Sequence, residues 1–442
     1  MLGFVVVLAY TTLHTAGGTQ LHWNPATAPY SINAAGSPDI PDDSDTQAVK
    51  ASFDAWNAAA NFHYHTDCLT NLNAGSIHPG NEVNDGNSIV TWVNSNWVYG
   101  NGTIAITFNW FDPTSGEIGE SDLMANGQDY TWTTGSTGVQ TDVRNFLTHE
   151  AGHYLGMDHS LDTEATMFAT GTTGETKKRD LDADDIAGVQ SIYGAGSTAD
   201  SGTPMQCSSG STPKSCGCDL SRSGTPWRGA AGVLLSLGAV GIAFALRRKR
   251  GVALLLGVAI IGFAGSAHAT AMRDLSLAEL THDADSVVLG TVESSEVVTD
   301  GQTIRTVTRV VVHEVLAGHD YGTALDVWTP GGELPAGVAG PNGYRGLVTT
   351  GLPHFLAGEE VVVFGMRLAG DPANTLRVSN LAQGKMSVVR NGAHTSLQRD
   401  LSGVMRVVRN ADGSFDPAPE ADPLGELTLD QLRTSLRTLP TR

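Results

Sequence analysis

The chain has 442 residues, a formal net charge of −20 and a pI near 4.9; 16% of its residues are charged and 52 are glycine. That length exceeds one average domain and points to two, each able to bury its own core. The acidity excludes nucleic acid and an anionic membrane surface as charge-driven partners, because no basic face is on offer.

Leu2 to Tyr10 form a short apolar run with no Lys or Arg before it. It reads as a leader peptide without its basic end, over residues 1–17, and a first buried strand is the alternative. The next zone, 18–194, mixes helical and strand periods and predicts an α+β domain. Leu21–Trp23 opens a strand-like stretch. Ser44 is the expected N-cap of a helix through Ala60, with Val49, Phe53, Trp56 and Ala60 on one face. Strands are expected over Ser88–Val93 and over Thr103–Trp110, the latter alternating through Ile104, Ile106 and Phe108. Helices follow over Thr141–Leu155, with Val143, Phe146, Leu147 and Tyr154 inward, and over Asp182–Tyr193, with Ile186, Val189, Gln190 and Tyr193 on one face.

Residues 195–229 are a Ser-, Gly- and Pro-rich linker unable to pack a core. Three of the four cysteines, Cys207, Cys216 and Cys218, fall in it and Cys68 stands alone, so no disulfide-stapled scaffold is expected. Residues 230–246 are an uncharged apolar run of 17 residues, just enough to cross a bilayer. Arg247, Arg248, Lys249 and Arg250 follow at once, and a basic cluster after a span stays cytoplasmic, which puts the preceding domain outside. Residues 247–269 then pair these cations with a second apolar run and a small-x-small site at Ala267–Ala269. This stretch is either a second span, giving membrane contact over 230–264, or the signal peptide of a second exported protein joined in frame. The last zone, 270–442, is rich in Val and Thr and predicts strands over Asp285–Val292, Thr303–Val315, Ala324–Trp328 and Glu359–Met366, with a helix near Leu427–Leu439. It carries no ligand spacing, nucleophile motif or phosphate loop.

The chemistry lies at His149-Glu-Ala-Gly-His-Tyr-Leu-Gly-Met-Asp-His159. His149 and His153, four apart on a helix, project from one face and can share one ion, and neutral imidazole is a good zinc ligand. Glu150, about 100° further round, can reach a water activated by that ion and act as general base. Gly156 lets the backbone leave the helix through a left-handed conformation, and the returning chain brings His159 in as third ligand. Three protein ligands with one open position are the catalytic pattern of zinc.

This motif resembles that of the metzincins, and its surroundings resemble the matrixin branch. Asp158 and Ser160 flank the third histidine as in that branch, Met167 in Ala165-Thr166-Met167-Phe168 matches the Met-turn beneath the metal, and Leu181–Gly194 matches the closing helix. The resemblance covers about residues 21–194. It implies a twisted mixed sheet with three helices, a catalytic Zn²⁺, and hydrolysis of internal bonds in extracellular protein or peptide substrates. A surface binding or adhesion protein that keeps the zinc site without activity is the alternative. The resemblance further implies that substrate lies along an edge strand, for which Glu120–Asn126 is the expected segment. Asp112, Glu117, Glu120, Asp122 and Asp129 offer oxygen ligands for a structural Ca²⁺, with a solvated acidic loop as the other reading. The departures are that Cys68 lacks the surroundings of a latency switch, the histidines of a structural zinc site have no counterpart, and Phe168 and Ala169 follow Met167 where the astacin-like branch has its tyrosine ligand. Residues 207–250 resemble the C-terminal sorting signal of myxobacterial surface proteins, implying a cell-surface location. The strand order of 270–442 resembles small closed β-barrels of the oligonucleotide/oligosaccharide-binding type. Oligomeric state is open.

Overall fold

The computed structural model describes residues 9–72, 82–135, 140–169, 174–196, 271–391, 394–401, 405–409, 415–417, 422 and 424–439. Close contacts group the described residues of 9–196 with those of 271–439 in one unit, and residues 197–270 lie outside the described residues. The segments expected to meet a membrane, 230–246 and 247–269, therefore fall outside the description, as do Cys207, Cys216 and Cys218. Among the described residues no helix is long and apolar enough to cross a bilayer.

The amino-terminal half is a mixed sheet with helices on one face. Its elements are β1 (His22–Trp23), β2 (Thr27–Asn33), α1 (Ser44–Asn57), β3 (His63–Thr70), β4 (Ile89–Val93), β5 (Ala105–Phe111), β6 (Glu117–Asn126), the short pair β7 (Trp132–Thr133) and β8 (Thr141–Asp142), α2 (Val143–Tyr154) and α3 (Ala183–Tyr193). The order across the sheet is β3-β2-β4-β6-β5. All neighbours run parallel except β5, which is antiparallel to β6. β6 is therefore flanked on both sides, and the expected edge segment Glu120–Asn126 is interior; β5 is the next strand on that side. Pairing is non-local, so strand propensity in β6 carried no information about its neighbours.

The helical expectations hold with shifted ends. Asp43, at φ 57°, sits before α1 without a side-chain cap, and Ser44 is the first helical residue rather than the cap. The helix stops at Asn57, three residues short of Ala60, and the Asn57 side chain accepts from Tyr64 N at 2.6 Å. Phe53 and Trp56 of α1 join Phe146, Leu147 and Tyr154 of α2 in one buried cluster over the sheet. Part of the expected leader is packed there too. Leu13 is buried in the same cluster, its N–H donates to Gly156 O at 2.8 Å, and Asp158 N donates to Thr11 O at 3.0 Å.

The carboxy-terminal half begins with β9 (Ala271–Arg273) and α4 (Leu277–His282), the latter held by a Ser276–Glu279 capping box. Then come β10 (Ser286–Thr299), β11 (Ile304–Gly318), β12 (Ala324–Pro330), the hairpin β13 (Gly332–Glu333) and β14 (Gly346–Val348), β15 (Glu360–Met366), β16 (Thr375–Val378), β17 (Lys385–Asn391), β18 (His394–Gln398), β19 (Met405–Arg409), β20 (Phe415–Pro417) and α5 (Leu429–Leu436). The sheet β10-β11-β12-β16-β15 closes on itself because β15 also pairs with β10. Val288, Val292, Val310, Leu325, Val327, Val361, Val363 and Leu376 cluster together among these strands.

The two halves share a core. Along β5 the odd residues face the helices, while Ile106, Phe108 and Trp110 face the other way and cluster with Met124, Ile304, Leu334, Leu347 and Leu381. The strand pair β13–β14 continues the amino-terminal sheet beyond β5.

Candidate metal centre

Helix α2 starts where Asp142, in extended conformation, accepts from Asn145 N at 2.7 Å. It ends at Tyr154, and two residues on Gly156 takes a φ of +97° that suits glycine; a Cβ there would lie 2.6 Å from Leu21 O. The chain then reverses and delivers His159. His149, His153 and His159 are each at most 3% exposed, and their Nε2 atoms lie 2.9, 3.0 and 3.2 Å from one another. The outward nitrogens explain the orientation. His149 Nδ1 donates to Thr166 O at 2.7 Å and His153 Nδ1 to Met157 O at 3.0 Å, while His159 Nδ1 stands 3.7 Å from Asp158 Oδ1. Carbonyl acceptors on Nδ1 put the proton there and turn the Nε2 lone pairs inward. Burial holds His149 well below the ordinary imidazole range and His153 down to about 4, favouring the neutral form that ligates metal. Converging lone pairs at these separations repel unless a cation lies among them, and a nitrogen-only set of three suits zinc. Among the described residues this is the one group of three or more such side chains.

Glu150 is 4% exposed and its Oε2 accepts from Thr107 Oγ1 at 2.6 Å. Burial pushes its carboxyl up to about 7 against the lowering pull of that bond; a cation beside it favours the carboxylate. Asn109, two residues along β5, donates from Nδ2 to His153 O at 3.0 Å. Thr107 and Asn109 were not singled out from the sequence, because only the β5–α2 packing aligns them with the motif.

Met167 is fully buried under α2, and the space it fills exists because residue 152 is glycine. A Cβ on Gly152 would run into Met167 Sδ and lie 2.7 Å from Trp56 Cζ2. The turn carrying Met167 hangs on Asp185, whose carboxylate accepts from Thr166 N (2.6 Å), Met167 N (2.8 Å) and Asp182 N (2.8 Å). Ser160 Oγ donates to Asp184 Oδ2 at 2.6 Å. Lys178 is 1% exposed, and its ammonium donates to Phe168 O. Burial pulls it down to about 8. In sequence it sits in a Lys-Lys-Arg run that reads as solvated charge, so nothing local marks it.

The acids considered for calcium are dispersed. Asp112 caps its own turn at Thr114 and Ser115, Glu120 accepts from Asp85 N and Gly86 N, Asp122 from Ile89 N, and Asp129 from Asn126 Nδ2, while Glu117 opens β6. Among the described residues, no three of these acids come together as a group that could hold a metal ion.

Residues 22–194 match the matrixin family, Peptidase_M10, so this segment is a matrixin domain. Neutrophil collagenase of Homo sapiens is 37% identical over 106 residues, covering 24% of this chain and 21% of that protein. Matrilysin of Homo sapiens is 41% identical over 88 residues, 19% of this chain and 30% of that protein. Matrix metalloproteinase-18 of Xenopus laevis is 27% identical over 189 residues, 41% of this chain and 34% of that protein. The chain thus spans between 21% and 34% of the length of these relatives. Matrixins are zinc metalloendopeptidases, and the His149, His153 and His159 triad fits their catalytic zinc site.

Proposed function

We propose that the chain is a zinc-dependent endopeptidase, with His149, His153 and His159 as metal ligands and Glu150 as general base. The observation that carries this reading is the mutual approach of three Nε2 atoms at 2.9–3.2 Å beside a buried carboxylate. When bound, zinc supplies a Lewis acid that polarises the scissile carbonyl and makes water nucleophilic near neutral pH. Glu150 takes the proton from the attacking water and passes it to the leaving amine as the C–N bond breaks, giving a carboxylate and a free amine. The Thr107 hydroxyl holds the Glu150 carboxylate in place, and Asn109 ties the end of α2 to β5. Met167 supports the ligands from below without joining them. The outer edge of β5, beside Glu150, is where an extended peptide would add as a further strand.

An extracellular setting rests on sequence alone, on the apolar run 230–246 followed by Arg247–Arg250, which keeps the preceding domain outside the cytoplasm. Substrates are accordingly extracellular proteins or peptides, and membrane attachment through 230–264 is part of the same proposal. In a test with the zinc-loaded full chain, Glu150→Ala should lower casein hydrolysis by about 10³-fold while leaving zinc content unchanged. Activity within tenfold of wild type sinks the general-base role. A wild-type chain that binds zinc and cleaves nothing favours the surface-binding alternative.

A further inference from the structure

Edge strands present unpaired N–H and C=O groups, yet every residue of β5 from Ala105 to Phe111 is at most 3% exposed. One edge meets β6. Along the other lies β14, antiparallel, with Gly346 opposite Phe111, Leu347 opposite Trp110 and Val348 opposite Asn109. The contact is built in detail. A Cβ on Gly346 would strike the Phe111 ring, so only glycine lets the strands meet here. Leu347 enters the shared apolar cluster with Ile106, Phe108 and Trp110, while Val348 packs on the helix-side core. Arg345 N donates to Phe111 O at 3.2 Å, and Arg345 Nη2 to Thr114 Oγ1 at 3.0 Å. Asn342 Nδ2 donates to Asn84 Oδ1 at 2.6 Å. The strand also runs the telling way. Its pairing ends opposite Asn109, two residues from the Thr107 that holds Glu150, and the following Thr349 and Thr350 are 7% and 4% exposed.

We propose that the Gly332–Val348 hairpin is an intramolecular occupant of the peptide-docking edge. The carboxy-terminal half thereby holds the peptidase latent, and an extended polypeptide gains the edge only when β14 leaves it. This rests on the endopeptidase reading above and assigns a role to a half of the chain that carries no catalytic motif. The competition is direct, because both strands need the same N–H and C=O groups of β5. If the edge is free only a small fraction of the time, apparent affinity for substrate falls by that fraction.

The test uses two full-length, zinc-loaded backgrounds and fluorescein-labelled, unfolded casein as probe. Gly346→Val pushes β14 off Phe111. In a Glu150→Ala background it should tighten casein binding by about tenfold or more, and in the Glu150 background raise kcat/KM by a similar factor, with zinc content constant. Amide hydrogen exchange at Asn109–Phe111 reports whether β14 has left. Binding unchanged within twofold while those amides have become exchangeable overturns the proposal. Tighter binding without any cleavage leaves the docking edge standing and sinks the peptidase reading instead. Should Gly346→Val fail to give a cooperative fold, Arg345→Ala removes the Thr114 anchor without added bulk. It should shift binding the same way by a smaller factor, and no shift overturns the proposal.

Discussion

The carboxy-terminal half and the metal centre both bury charge, and they treat it in opposite ways. Among the described residues of the carboxy-terminal half, the buried Lys385 and Arg399 each have a countercharge at contact distance. Arg399, 1% exposed at the side chain, lies 3.1 Å from Asp274 and also pairs with Asp422. Lys385 meets Glu359 at 2.5 Å, and Arg377 grips Asp371 through two hydrogen bonds of 2.8 and 2.9 Å. In the amino-terminal half Glu150 has a hydroxyl for a partner, and the three histidines have one another. The pKa shifts follow. Burial raises Glu150 to about 7 and its one side-chain hydrogen bond does not offset this. Burial also pushes Glu359 and Asp371 upward, but the Lys385 and Arg377 hydrogen bonds outweigh it, and both carboxyls lie below their ordinary range. A carboxylate matched by a cation is structural; one left poised is available to chemistry.

The contrast can be broken most severely at the triad. His153→Ala removes one of three nitrogens, so zinc should drop below about a tenth of an equivalent per chain and hydrolysis to background, read by metal analysis and a peptide assay. Retained stoichiometric zinc would mean that the inward lone pairs are not a metal site. Next in size is Gly152→Ala, whose added carbon displaces Met167 or Trp56. Overpacking of this kind should cost about 3 kcal/mol, seen as a lowered Tm. An unchanged Tm would show that the floor of the site is softer than its packing implies.

Smallest is Asp371→Asn, which removes one side of a nearly buried pair and should cost about 2 kcal/mol at neutral pH. Because the folded-state pKa of Asp371 is depressed, its contribution is present above the ordinary carboxyl range and fades as pH falls through the folded value. The difference in Tm between wild type and variant should therefore shrink below about pH 4. A difference that stays constant through that range would place the stabilisation elsewhere.

Much of the site was legible in the sequence because it is local. His149, Glu150 and His153 lie within two turns of one helix, and Gly156 and His159 follow directly. What was not legible depends on strand pairing. Thr107 reaches Glu150 across 43 residues of sequence, and no periodicity within β5 marks it. Gly152 carries no local signal of its own, and its role appears only when Met167 packs against it. The same non-locality put Glu120–Asn126 at an edge when β6 is interior. In the carboxy-terminal half strand positions were visible from Val and Thr content, yet β10 runs on to Thr299, past the expected Val292, because its far end pairs with β11 rather than with the closing strand.

The triple acceptance by Asp185 has a consequence for how this scaffold can vary. Thr166 and Met167 on one side, and Asp182 on the other, end on the same carboxylate. Between those ties Lys178 N donates to Asn145 Oδ1 of α2 and Arg179 Nε to the capping Asp142, so residues 177–179 are fastened to the same helix that carries His149 and His153. A single change at Asp185 therefore unties the turn that carries Met167 and the start of α3 at once.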